Sequence, residues 1–502
     1  MCFVLMPPRN ALPGADAPSP PVYAMDKCAA MKEHSPGKWT VFALVTTGSF
    51  MSTLDSSIVN VALPTLMGRL NTTMVTIEWV VLIYLIAFTS LILSFGRLSD
   101  IVGRRLVLVG GHGLFTLSSL LCALSPSVGT LIAARALQGT GAAMIMSCSQ
   151  ALIVDAFPEN ERGKALGSIA TVVAAGLTSG PAVGGFILTH FSWRMIFAVN
   201  IPVGLTVAVL AARILKGSEA DTRRDEPFDL PGGLLIALSC GALFTGLTHA
   251  HAWGYASFRV IGLTGTAIAL ALIFVAHENR TVHPVMDPSL FKERIFRLPV
   301  LSAIALYTAL FTMVFLMPFY LLFPMGYSEA QVGTVMTIPF ALLFVVPPFS
   351  GALADRMGSR ILCVLGMGTL SLALALLAWP TEVTAFPPIA FKLALAGFGV
   401  ALFLPPNNTT IMSSVPAPRR GVASSVVGAA RNLGMVTGVA LAGAVFNHTY
   451  TALSGANGLS TYTQALQGPF LTAFRYALFC GAATAALGSL LAWLRGPDSP
   501  TR

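Results

Sequence analysis

From Trp39 onward the chain alternates long apolar runs with short polar loops. Runs of roughly 18–25 apolar residues are long enough to cross a bilayer as α-helices. They fall near 39–62, 77–96, 105–125, 128–152, 164–189, 195–213, 231–250, 258–276, 299–323, 331–354, 360–379, 387–412, 422–446 and 470–494. The pattern predicts an all-α polytopic membrane protein of about fourteen transmembrane helices. Internal prolines make the ends of 299–323 and 387–412 uncertain. Residues 1–38 break the pattern with Pro7, Pro8, Pro13, Pro18, Pro20 and Pro21, and read as a disordered tail. Residues 447–469, rich in Ser, Thr, Gly and Asn, read as a solvated loop.

One polar stretch occurs twice. GRLSDIVGRR, Gly96 to Arg105, returns as GALADRMGSR, Gly351 to Arg360. Gly96, Leu98, Asp100, Gly103 and Arg105 recur as Gly351, Leu353, Asp355, Gly358 and Arg360, each 255 residues later. Gly139 and Gly141 recur as Gly397 and Gly399, 258 residues later. Repeats of this size predict two pseudo-symmetric six-helix halves, 39–213 and 299–494. Between them, 214–298 is a charged linker with two extra helices, and 495–502 is a terminal tail. The charges do not repeat. The second-half positions matching Asp55 and Arg135 are Leu310 and Leu393, which places any charge-based chemistry in the first half.

Composition agrees with the pattern. The chain is 55% hydrophobic and 10% charged, with a mean hydropathy of +0.76. Its net charge of +9 would suggest nucleic acid in a soluble protein. Here most of the lysines and arginines lie in alternate short loops, so the excess is the positive-inside signal of a membrane protein with both termini cytoplasmic. No nucleic-acid partner is expected. The seven cysteines lack metal-ligand spacing, and His249 and His251 have no further ligands nearby, so neither metal nor disulfide is predicted. No nucleophile–base pair lies within the helices, which argues against an enzyme. No GxxxxGK[ST] loop is present, which leaves an ion gradient as the energy source.

Asp55 lies roughly 24 Å into its helix and Arg135 roughly 10 Å into one of opposite direction, at 1.5 Å per residue. The two therefore reach similar depth. An intramembrane charge is costly and faces a cavity or a partner. Burial favours the neutral acid and a guanidinium favours the carboxylate, so the pair forms a candidate proton carrier and its tuner. In the repeated stretch the glycines Gly96, Gly103, Gly351 and Gly358 permit sharp turns and close helix approach. Asp100 and Asp355, with Arg104, Arg105 and Arg360, form charge-assisted contacts suited to a conformational latch. Gly176, Gly180 and Gly184 share one helix face, beside Pro181 and Gly185, and allow close helix packing with a bend. Tyr307, Phe311 and Phe315 recur every fourth residue; with Gln138 they are candidates for a substrate cavity, although the same stripe also suits plain packing. Arg431 reads as a cation snorkelling toward the interface.

Several stretches now carry a resemblance. LDSSIVNVALP (Leu54 to Pro64), GRLSDIVGRR, RALQGTGAA (Arg135 to Ala143), GLTSGPAVGG (Gly176 to Gly185), WRMIFAVNIPVG (Trp193 to Gly204) and HPVMDPSLFKERIF (His283 to Phe296) occur in that order. The set resembles the major facilitator superfamily, in its fourteen-helix drug–proton antiporter branch. The resemblance implies a proton-coupled antiporter of the cytoplasmic membrane that exports amphipathic organic compounds as a monomer, with no cofactor beyond protons. It also implies that the Gly176–Gly185 face seals the helix against proton leak. A dedicated exporter of one metabolite, lipid or antibiotic is the alternative, and a non-transporting sensor a remote one. The sequence departs from the branch at Glu78, where Gln is expected, and the extra acid is expected to face outward.

Overall fold

The computed structural model describes residues 37–215, 229–254, 257–281, 288–379, 386–415, 420–455, 459 and 462–496. Among these, fourteen long helices follow the predicted runs: α1 Lys38–Arg69, α2 Trp79–Val102, α3 Arg104–Leu124, α4 Val128–Ala156, α5 Glu159–His190, α6 Asn200–Ile214, α7 Leu230–Trp253, α8 Phe258–Glu278, α9 Arg294–Leu322, α10 Glu329–Met357, α11 Ser359–Leu377, α12 Phe386–Ser413, α13 Arg420–Ser454 and α14 Gln467–Leu494. Single helical turns, Met74–Ile77 and Met195–Ala198, precede α2 and α6. Twelve helices are long and apolar enough to cross a membrane, and Pro231–Gly246 of α7 is a shorter apolar stretch. The remaining helix, α1, is too polar by composition because Thr46, Ser49, Ser52, Asp55, Ser57 and Asn60 are built into its buried faces.

The chain differs from expectation at three boundaries. Gly96–Val102 and Gly351–Met357 are the last turns of α2 and α10 rather than loops. Only Gly103 and Gly358 break the helices, with φ of 101° and 84°. In that region a side chain is strained, so glycine is the residue that permits the reversal. Gly351 faces open space and Gly96 meets only the Ser147 Cβ, 4.0 Å from a Cβ placed there, so neither serves a close approach. Residues 447–454, expected in a loop, continue α13.

Prolines interrupt neither α9 nor α12, which run on past Pro299, Pro318, Pro405 and Pro406. A helical proline leaves the carbonyl four residues earlier without its donor. In two places a neighbouring serine supplies one: Ser57 of α1 donates to the Leu177 carbonyl that Pro181 frees, at 2.7 Å, and Ser350 of α10 donates to the Leu402 carbonyl that Pro406 frees, at 3.0 Å. Inside a bilayer such repair is what makes helical prolines tolerable.

Packing repeats in the two sets of six helices. In α1–α6, α1 packs on α5, α2 and α3 on α4, and α3 on α6; in α9–α14, α9 packs on α13, α10 and α11 on α12, and α11 on α14. Glycines set the repeat. A Cβ on Gly139 would meet the Tyr84 backbone, and one on Gly397 the backbone of Pro339, 255 residues beyond Tyr84. Gly141 likewise stands against Gly111 and Phe115, and Gly399 against Gly366 and Leu370. Two symmetric seams join the sets, α5 with α10 and α13 with α2. The hairpin α7–α8 leans on α2 and α13 through α7. His277 and Asp229 tie its base at 2.7 Å, while α8 buries only 17% of its apolar window.

Candidate functional site

Asp55 and Arg135 meet, as their depths predict. Both side chains are fully buried, with Nη1 of Arg135 2.5 Å from Oδ2 of Asp55. Two more donors converge on Oδ1 of Asp55: Nε2 of Gln138 at 2.9 Å and Nδ2 of Asn200 at 2.8 Å. Arg135 also donates to Oε1 of Gln138 at 2.6 Å and from Nε to the Val80 carbonyl at 2.9 Å. Gln138 donates to Ser119 at 2.9 Å. The Tyr84 ring covers the guanidinium, its centroid 4.1 Å away, and the Tyr84 hydroxyl donates to the Ser52 carbonyl at 3.1 Å. Five helices, α1, α2, α3, α4 and α6, therefore hold one buried ion pair. Burying two charges is repaid only when their remaining hydrogen-bonding groups are also met, and these neighbours meet nearly all of them. Nη2 of Arg135 alone has no partner among the described residues.

Asn200 was not singled out from the sequence. Its signal was an amide within WRMIFAVNIPVG, at the first turn of an otherwise apolar helix. Ser119 and Tyr84 carried no such mark.

Tyr84 also borders a cavity between the two sets of helices. Its polar walls are Ser52, Thr53, Ser56, Tyr84, Arg431 and Asn432; Leu85, Phe88, Met146, Val173, Leu177 and Met435 complete it. Arg431 therefore points into the bundle instead of snorkelling to an interface. It sits about 16 Å along α13 at 1.5 Å per residue, five residues inside the apolar span Val426–Ser454. The proposed cavity residues are elsewhere. Gln138 lies in the ion-pair network behind Tyr84. Phe311 and Phe315 are core side chains, 2% and 0% exposed, and Tyr307 is half-buried. Tyr307 and Phe311 pack against Gly434 and Gly438 of α13, as Thr53 and Ser57 of α1 pack against Gly176 and Gly180 of α5.

The glycine-rich face of α5 is split between two tasks. Gly176, Gly180 and Gly184 admit α1: a Cβ on Gly180 would lie 2.5 Å from the Ser57 Cβ. Gly185 faces the other way, and a Cβ there would lie 2.9 Å from the α-carbon of Gly333 in α10, while Gly333 itself abuts the Pro181 carbonyl. This part of the α5–α10 seam is backbone against backbone.

At the end marked by Gly103 and Gly358, the described arginine contacts stay within each half. Arg104 pairs with Asp155 of α4. Arg105 donates to the Ala212 carbonyl of α6 at 2.7 Å, and Arg360 stacks 4.1 Å over Trp493 of α14. Arg105 and Arg360 thus each brace the last helix of their own half. The side chains of Asp100 and Asp355 lie outside those described, as do those of His249 and His251. Among the described residues no cluster of His, Cys, Asp or Glu could hold a metal, and the five cysteines there are free.

Glu78 does not face outward. It is 1% exposed, packed against Gly443 of α13, where a Cβ would collide with its carboxylate. Its Oε2 has no hydrogen-bond partner among the described residues.

Comparison with known proteins agrees with this architecture. The sequence profile of the Major Facilitator Superfamily matches residues 45–439 and 300–502. The chain is 33% identical over 414 residues to the riboflavin transporter RibZ of Clostridioides difficile, covering 82% of this chain and 89% of that one. It is 36% identical over 400 residues to the multidrug resistance protein Stp of Mycobacterium tuberculosis, covering 79% and 74%. It is 32% identical to the methylenomycin A resistance protein of Streptomyces coelicolor, covering 80% and 84%. A solved bacterial homologue of the human lysosomal transporter Spinster, in an inward-facing, unoccupied conformation, shares the fold with a TM-score of 0.63 at 13% identity over 92% of this chain and 99% of that one. The chain belongs to the Major Facilitator Superfamily and is a multi-pass membrane transporter, not an enzyme.

Proposed function

We propose that the protein is a proton-coupled antiporter exporting amphipathic organic compounds across the cytoplasmic membrane. It works as a monomer with both termini inside and needs no cofactor beyond the proton. The moving bodies are 39–213 and 299–494, and 214–298 carries the extra pair. One observation supports the reading above the others: a fully buried Asp55–Arg135 pair whose guanidinium stacks on Tyr84, a residue that also lines the inter-half cavity. Protonation of Asp55 cancels its attraction for Arg135 and turns one oxygen into a donor. Arg135 then keeps Gln138, the Val80 carbonyl and the Tyr84 ring, so the network rearranges without leaving a bare cation. Asp100 and Asp355 latch the cytoplasmic end in this scheme, and the α5 glycine face closes the path to leak. The test is Asp55→Asn in proteoliposomes carrying an imposed pH gradient. Uphill export should vanish while equilibrium cargo binding remains measurable. Export at the normal proton-dependent rate removes Asp55 as carrier.

The second reading narrows the cargo to one compound. The names of the antibiotic-resistance and riboflavin relatives favour it. Drug accumulation in an export-deficient host separates the two, since a dedicated exporter confers no multidrug phenotype.

A further inference from the structure

The inter-half cavity is lined by a partly buried cation with no counter-ion among the described residues. Arg431 is the only charged residue among the described walls of the cavity. No salt bridge to it occurs among the described residues, and its Nε is buried without a hydrogen-bond partner. Asp55 has both oxygens committed to Arg135, Gln138 and Asn200. Asn432, itself buried, also lines the cavity, as do Ser52 and Ser56 of α1; the Asn432 Nδ2 donates one hydrogen to the Gly428 carbonyl at 2.9 Å. The remaining walls are apolar, among them Phe88 and Met146. A guanidinium at this depth is expensive unless an anion or water meets it, and its planar donors match a carboxylate in two-point fashion.

Resting on the transport reading, we infer that Arg431, assisted by Asn432, receives an anionic group of the cargo. The cargo class is then an organic anion with an apolar body, such as an aromatic carboxylate, whose body lies on the Phe88 and Met146 walls. A lipophilic cation would meet a like charge there and no carboxylate among the described walls.

The test uses the purified full chain in nanodiscs of phosphatidylcholine, without any gradient, and three probes of nearly equal shape: 1-naphthylacetate, its methyl ester and 1-naphthylmethylammonium. Equilibrium binding should favour the acid over both others by about tenfold or more, the range of a buried hydrogen bond to a charged group. Arg431→Gln should bring the acid to within about twofold of the ester, and Arg431→Lys, which keeps the charge, should retain part of the preference. Equal binding of acid and ester by the unaltered protein overturns the inference, as does an acid that fails to bind. A tenfold preference that survives Arg431→Gln overturns it too. The wild-type ratio needs no variant, so a misfolded Arg431→Gln protein still leaves a decision. Failure of proton coupling appears instead in the Asp55→Asn export assay and leaves this gradient-free ratio unaffected.

Discussion

Asn200 donates to Asp55 from the first turn of α6, Nδ2 to Oδ1 at 2.8 Å, closing a network that otherwise draws on α1 to α4. A buried hydrogen bond to a charged acceptor contributes about 1.5–3 kcal/mol. Asn200→Ala is therefore expected to lower stability by an amount in that range. In an Asp55→Asn background the loss should shrink, because the acceptor is then neutral. Thermal unfolding of the four proteins of this double-mutant cycle in detergent checks both statements. Additive losses would mean that Asn200 acts through packing alone.

Gly185 and Gly333 present backbone to backbone across the α5–α10 seam, each with a Cβ position under 3 Å from the other's α-carbon. Gly185→Val should hold this end of the two halves apart. Spin labels near His190 and Glu329 should report a distance distribution shifted to longer values, with slowed transport. An unchanged distribution would show that the seam has room to spare.

Glu78 and Gly443 occupy one volume that only a glycine leaves free. Gly443→Ala should destabilise by about 1–3 kcal/mol, the usual range for overpacking. Glu78→Ala in the same chain should recover most of that loss, as read by unfolding midpoints. Independent, additive losses would contradict the contact.

Phe311 and Phe315 lie in the core rather than in the cavity wall. Truncation of either to Ala should cost about 3–5 kcal/mol and lower the transport of every cargo by a similar factor. A cargo-selective change, with others unaffected, would return these rings to the binding site.

The helices and the repeat were legible because bilayer length and a nearly constant offset leave a linear trace: the apolar runs, Gly103 with Gly358, and Gly139 with Gly397 all stand in the text of the chain. Asp55 and Arg135 were legible as a pair because helix rise converts residue number into depth. What depth does not give is azimuth, the direction in which a side chain leaves its helix. For that reason depth does not tell that Arg431 lines the cavity, nor which of the two uses open to the aromatic stripe is taken; Tyr307 and Phe311 pack against the glycines of α13. Glu78 was read as outward because it opens a helix, yet Gly443, 365 residues later, admits it to the interior. Asn200 and Ser119 were lost among ordinary polar residues, since only the folded chain brings their donors to one carboxylate and one amide.

Ser57 stands two residues after Asp55 on α1, and its hydroxyl holds the carbonyl that Pro181 strips of its donor in α5. The same stretch of α5 abuts α10, through the Pro181 carbonyl and Gly185 against Gly333. The serine is thus a short strut between the bend of one helix and the acid of another. The α5–α10 contact at Pro181 and Gly185 is thereby joined, through one hydrogen bond, to the turn of α1 that carries Asp55. An alanine at position 57 would leave the acid, its partners, the seam and the glycine-faced packing of α1 on α5 in place and remove that one hydrogen bond.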